Sequence, residues 1–152
     1  MKHTLKIHTS RMFEDCIDQT SLDLMSLRAR GVETANAVYD DWVLTGDSFV
    51  IVMPMLQEFA ADMAFVLRTL VESYKVSDTG IEVNLNLSEG VSVSAAAESE
   101  ATAYFKYRVL MWWYHYRDAE LSAMYGTKAE VALNNLFTLC IPRTGTLIGR
   151  HY

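Results

Sequence analysis

Between Ala96 and Tyr116 the side chains Tyr104, Phe105, Tyr107, Val109, Leu110, Met111, Trp112, Trp113, Tyr114 and Tyr116 leave almost no polar face. As a helix, such a segment belongs at the centre of a bundle or beneath a neighbouring subunit, because water cannot cover so much apolar and aromatic surface. It therefore requires several other elements to enclose it.

The remaining chain supplies them. Thr9 or Ser10 offers an N-cap for a helix from about Arg11, with Met12, Phe13, Cys16 and Ile17 at three- and four-residue spacing. Residues 21–30 continue or restart that helix, and Gly31 ends it. A short helix is expected over residues 33–44. After the break and capping sequence Thr45-Gly46-Asp47-Ser48, a long one is expected to about Tyr74. Leu56, Phe59, Met63, Leu67, Leu70 and Tyr74 form its stripe, and Pro54 implies a kink or a helix that starts near it. Asp118 caps a last helix whose stripe is Leu121, Tyr125, Ala129, Ala132, Leu136 and Leu139; Gly126 is a weak point inside it, and Pro142 stops it.

Strand signals are short. Leu5 and Ile7 alternate with Lys6 and His8 over residues 3–9, and Ile81-Glu82-Val83-Asn84-Leu85-Asn86-Leu87 alternates cleanly. Val91-Ser92-Val93 pairs back as a hairpin or leads into the aromatic helix. These strands are too short to stand alone and must pair with each other or with another chain. The expected fold is mainly α, a bundle of about four helices with short β-strands. Residues 1–142 form its single domain and residues 143–152 an extended tail.

A net charge of −6 argues against general nucleic-acid binding, which needs a basic footprint. The charge is uneven: residues 1–100 carry 16 acids and 7 bases, residues 101–152 carry 3 acids and 6 bases. Such polarity suits stacking against copies of the chain or against a partner, and equally suits chance variation among solvated faces. Residues 1–8 lack the apolar core of a signal peptide. The segment 49–67 is apolar enough to raise the question of a membrane span. Glu58 and Asp62 inside it favour a buried core helix instead.

Catalytic chemistry finds little to build on. Cys16 and Cys140 make neither a disulfide framework nor a metal-ligand spacing. His3 and His8 point to opposite faces of one strand, His115 lies among aromatics, and His151 is set apart. Glu-x-x-His pairs of the di-iron bundle type are missing. Asp15 with Asp18, and Glu58 with Asp62, share helix faces and could hold a divalent ion, although solvated surface explains them better. Gly145-Thr146-Leu147-Ile148-Gly149 lacks the lysine and following helix of a phosphate loop. No catalytic, metal or cofactor residue is assigned, and the chain reads as a non-enzyme.

Taken together, four features make the chain resemble small helical head–tail connector proteins, the neck-ring adaptors of tailed bacteriophages and prophages. They are the N-terminal strand and helix, the long helix capped at Asp47, the strand Ile81–Leu87, and the helix bearing Tyr107-Arg108-Val109-Leu110-Met111-Trp112-Trp113-Tyr114. The final helix with Ala119-Glu120-Leu121-Ser122-Ala123-Met124-Tyr125 and its Pro142-Arg143 ending completes the pattern. Pro54 and the Gly145–Gly149 segment depart from it.

The resemblance implies a structural virion protein at the head–tail junction, assembled in the host cytoplasm. It implies a homo-oligomeric ring that joins portal to tail or other neck proteins, through which DNA passes without tight binding, with no cofactor and no membrane. The interface residues expected on this reading are Ile81, Val83, Leu85 and Leu87 on the strand, Tyr104, Tyr107, Tyr114 and Tyr116 on the aromatic helix, and Arg143, Leu147, Ile148 and Arg150 in the tail. The alternative is a soluble helical-bundle accessory protein that binds a small ligand or partner peptide at its aromatic helix. A metal-dependent hydrolase using the carboxylate pairs is a third, weaker reading.

Overall fold

The computed structural model describes residues 1–31 and 42–142. It is mainly α, with four long helices and a small antiparallel sheet. Strand β1 (Lys2–His8) follows the alternation, with Leu5 and Ile7 buried and Lys6 and His8 exposed. It runs directly into helix α1 (Thr9–Ala29). This is one continuous helix through Thr20 and Ser21, because both hydroxyls donate to the Ile17 carbonyl (2.9 and 3.1 Å) instead of competing for the chain's direction. Gly31, at φ 74°, ends it as expected. The short helix expected over residues 33–44 lies outside the described residues except for its last three, Trp42, Val43 and Leu44, which are buried.

A 3₁₀ turn (Gly46–Ser48) then leads into α2 (Phe49–Val66). The cap is Thr45 with Ser48 and not the expected Asp47: the Thr45 amide donates to the Ser48 hydroxyl at 3.3 Å, and the Ser48 amide donates back to the Thr45 carbonyl at 3.0 Å. Helix α2 begins five residues before Pro54. Pro54 is exposed, as is Val50 one turn earlier, so the carbonyl released by the missing N–H lies on the solvent side and can bond water.

Helix α2 stops at Val66, eight residues before the expected end at Tyr74, and residues 71–76 are a strand, β2 (Val71–Val76). The strand β3 (Gly80–Asn86) explains why. It lies between β1 and β2, antiparallel to both, and pairing with β2 satisfies backbone groups that a continued helix would have carried away from the sheet. A bulge between Val71 and Ser73 shifts the register, so that Val71 and Tyr74 oppose Leu85 and Val83 on the same face. The three strands among the described residues thus find partners within the chain. At the Ser77–Gly80 turn the Ser77 amide bonds the Gly80 carbonyl at 2.9 Å; a Cβ on Gly80 would sit 3.0 Å from the Ile7 carbonyl, which is too close for a larger residue.

The Val91–Val93 segment is no strand and leads into α3 (Ala95–Tyr114), whose N-cap Ser94 accepts from the Ala97 amide at 3.3 Å. Helix α4 (Ala119–Cys140) starts at Asp118, whose carboxylate accepts from the Leu121 amide at 3.0 Å. It packs along most of α3 as an antiparallel hairpin. Helix α3 is enclosed by α1, α2, α4 and β1, and none of its residues from Ala101 to Tyr114 is fully exposed. Leu5, Ile7, Ile81, Val83 and Leu85 form the inner face of the sheet and belong to the same hydrophobic core. The outer face is polar, with Asn84 bridging Thr4 (2.8 Å) and Ser73 (2.9 Å) across the three strands.

Candidate interaction surface

The described residues fall into two chemically distinct zones, a polar knot inside the bundle and an apolar surface on and beside α2. In the knot, Asp23 of α1 accepts from the Tyr114 hydroxyl of α3 at 3.0 Å and from the Tyr125 hydroxyl of α4 at 2.6 Å, while Gln19 donates to its other oxygen at 3.0 Å. One carboxylate thereby ties three helices. Burial pushes both phenols well above their usual range, and the adjacent Asp23 charge, with the hydrogen bonds to it, raises them further. The rings stack from Tyr107 over Tyr125 to Tyr114, with centroids 6.0 and 5.8 Å apart. The knot is built to hold helices together, and its side-chain donors are committed to that task.

A second anchor joins α2 to α3. Arg108 donates to Asp62 at 2.7 Å and to the Tyr104 hydroxyl at 3.0 Å, and lies 4.6 Å from the centre of the Phe59 ring. Tyr104 in turn donates to the Phe59 carbonyl at 3.0 Å. Desolvation pushes the Tyr104 phenol up to about 12, with Arg108 pulling against it. Beside this anchor, α2 and α4 flank α3 and leave an apolar groove of about 450 Å³. Its floor is Tyr104, Arg108 and Met111; its walls include Phe65, Val66, Ala129 and Leu133, with Asp62 and Glu130 adding carboxylates. Gly126 helps keep it open, since a Cβ there would come within 3.0 Å of the Met111 sulfur.

The surface of α2 is unusual in another respect. Gly46–Val66 has a mean hydropathy of 1.6 and is long and apolar enough to cross a membrane, yet only 28% of its most apolar stretch is buried within the chain. The expectation of a buried core helix is corrected here. Val52, Leu56, Phe59, Ala60 and Met63 face the core, whereas Val50 (78% exposed), Ile51 (60%), Phe65 (70%) and Val66 (55%) face outward. Glu58 and Asp62 interrupt that outer face.

The expected interface residues fare unevenly. Ile81, Val83, Leu85, Leu87, Tyr104 and Tyr114 are all buried inside this chain and present no side chain to a partner. For the strand, the reason is that β3 is the central strand and needs no outside partner; for the two tyrosines, it is the hydrogen bonds just described. Tyr107 is half-buried under Tyr125 and near the Lys106 and Lys128 ammonium groups, while Tyr116 is 92% exposed. Arg143, Leu147, Ile148 and Arg150, with the rest of the tail, lie outside the described residues. Val50, Ile51, Phe65 and Val66 were missed, although Val50 and Phe65 sit off the predicted stripe and were visible as apolar residues on its far side.

Among the described residues no group of three or more His, Cys, Asp and Glu is placed to hold a metal ion. Burial pushes the Cys16 thiol up to about 12, which suppresses the nucleophilic thiolate. His115 is exposed and packs edge-on against Tyr116 at 4.5 Å. No family model, curated protein or solved structure matches the chain.

Proposed function

We propose that this protein is a non-enzymatic assembly subunit that acts by contact with other protein chains. The observation that carries this reading is the outward side of α2, where Val50, Ile51, Phe65 and Val66 are exposed; Leu22 and Met25 on α1 and Val131 on α4 add further exposed apolar side chains. Lipid is a poorer match for that face than protein, since Glu58 and Asp62 would each cost about 2.5–3.5 kcal/mol near a bilayer centre.

The specific form we propose is a head–tail connector, a neck-ring subunit that meets copies of itself, the portal and a tail or neck protein, with DNA passing through the lumen. It rests on the resemblance in element order and aromatic-helix texture. Reconstruction of phage particles that carry this chain tests it. Density for the chain in a ring between portal and tail is the expected result, and density elsewhere on the particle overturns it.

The groove over Tyr104, Arg108 and Met111 supports a second reading, an accessory protein that takes a small ligand or peptide at the aromatic helix. Trp113 is not part of such a site, because it is buried and its indole N–H is spent on the Trp42 carbonyl at 2.8 Å. A saturable shift of the Met111 methyl resonance on titration with a ligand panel would favour this reading; an unmoved resonance across the panel would count against it.

A further inference from the structure

We propose that a second copy of this chain covers the outer side of α2, the two α2 helices packing antiparallel about a two-fold axis between Gln57 and Glu58. The proposal rests on the reading of that side as a contact between chains, and it names the occupant. Three observations select it, and all three meet in one register.

The first is shape. Val50, Pro54, Gln57, Ala61 and Phe65 recur at spacings of four, three, four and four, so they form one stripe along the helix, and all five are exposed. The stripe is bulky at its ends, where Ile51 and Val66 flank it, and small at Pro54 and Ala61. Two helices that cross are closest at their middle and diverge toward their ends. Small residues near the axis permit the approach, and Val50 of one copy against Phe65 of the other fills the wider gap on each side.

The second is charge. Asp47 stands three residues before Val50 and Arg68 three residues after Phe65, and both are exposed. Arg68 donates to the Phe65 carbonyl at 3.2 Å and lies 5.1 Å from the centre of the Phe65 ring, which holds its cation on the outer side. Neither Asp47 nor Arg68 has an ion-pair partner among the described residues. The register that pairs Val50 with Phe65 also pairs Asp47 with Arg68, once at each end of the contact. A parallel arrangement would instead set Asp47 against Asp47 and Arg68 against Arg68, so charge selects the antiparallel one.

The third is the centre. In the same register Glu58 faces Gln57 of the second copy, whose exposed amide donates to the carboxylate. Asp62 is already held by Arg108 at 2.7 Å. A face built for an unrelated protein has no reason to be complementary to itself, whereas a two-fold contact requires it: each residue pairing must work in both directions.

The test uses the full chain in solution. Asp47→Lys sets a cation against Arg68 of the second copy, and Arg68→Glu sets an anion against Asp47. Each is expected to weaken dimerisation about tenfold at low salt in sedimentation equilibrium. Mixed in equal amounts, the two variants are expected to associate within about threefold of the parent's affinity, because each supplies the charge the other lacks. A mixture that stays as weak as its components rejects the antiparallel pairing, and a parent chain still monomeric at about 1 mM overturns the dimer. Cysteines supply a second measurement. Pro54 and Ala61 lie about 10 Å apart along one helix, too far for a disulfide within the chain, and the native Cys16 and Cys140 are buried. Oxidised Pro54→Cys with Ala61→Cys is expected to give covalent dimers. Persistent free thiols overturn the contact, and open-ended polymers overturn its two-fold closure. Failure of this dimer and failure of the connector reading are separable. A particle reconstruction that sets α2 against a different protein overturns the dimer alone, and one that places the chain away from the head–tail junction overturns the connector alone.

Discussion

Helices α2 and α3 are both rich in apolar residues, yet α3 is enclosed and α2 is not. Every residue of α3 from Ala101 to Tyr114 is at least partly covered, and Tyr104 and Tyr114 use their hydroxyls inside the molecule. Helix α2 buries one face and leaves Val50, Ile51, Phe65 and Val66 outside. The difference shows that apolar content alone does not say what covers a helix. An aromatic helix with a tyrosine on nearly every turn can be closed within one chain, because each buried ring brings a donor that finds an acceptor such as Asp23 or the Phe59 carbonyl. An aliphatic face has no such directed partner, and whatever covers it is decided by surface left over.

The comparison breaks most sharply if a core residue of α3 is removed. Phe105 is fully buried and packs edge-to-face with Tyr104 at 5.2 Å. Phe105→Ala is expected to cost about 3–5 kcal/mol in urea unfolding, through lost burial and the cavity left behind. A loss under about 1 kcal/mol would mean that α3 is not the closed centre described here.

Alkaline titration probes the same region through its hydroxyls. Tyr104, Tyr114 and Tyr125 all have phenols raised above the ordinary value of 10.0, so the folded state favours their neutral forms. Their contribution is fully present below pH 10. It is lost as the unfolded chain ionises above that value, through about 12 for Tyr104 and beyond for the other two. Each such group adds a slope of up to about 1.4 kcal/mol per pH unit over its window. Unfolding followed from pH 8 to pH 11 is expected to show stability falling above pH 10, and Tyr114→Phe is expected to make that fall shallower. An unchanged slope in Tyr114→Phe would remove Tyr114 from the effect.

Much of the enclosed region was legible in the sequence. The all-round apolar run 104–114 implied a central helix, Asp118 marked the start of α4, and the clean alternation of 81–87 implied a strand. The boundary of α2 was not legible, for a specific reason. The bulge between Val71 and Ser73 puts Val71 and Tyr74 on one face, so their spacing of three imitates a helical turn, and Leu67, Leu70 and Tyr74 appear to continue the α2 stripe. Only pairing with β3, set by tertiary contact, overrules that local pattern. The interface was misassigned on similar grounds. The alternation that marks a strand cannot say whether its apolar side meets its own core or a neighbour, and for Ile81, Val83 and Leu85 it meets the core. The Asp23 knot was illegible too, since Gln19, Asp23, Tyr114 and Tyr125 are brought together by packing of three helices.

The smallest effect on stability comes from the other side of the comparison. Val50→Ser with Ile51→Ser removes two residues that are 78% and 60% exposed, so unfolding free energy is expected to change by about 0.5 kcal/mol or less per site. The consequence should appear in association instead. Light scattering over a concentration series is expected to show weaker self-association or weaker partner capture for this variant than for the parent chain, with the unfolding midpoint nearly unmoved. If association is untouched while stability falls by several kcal/mol, the outer face of α2 is held from within the chain. The contrast between α2 and α3 would then be one of degree. If association falls while stability holds, the two helices divide the work between them, α3 closing the fold and α2 carrying the contact by which one chain recognises another.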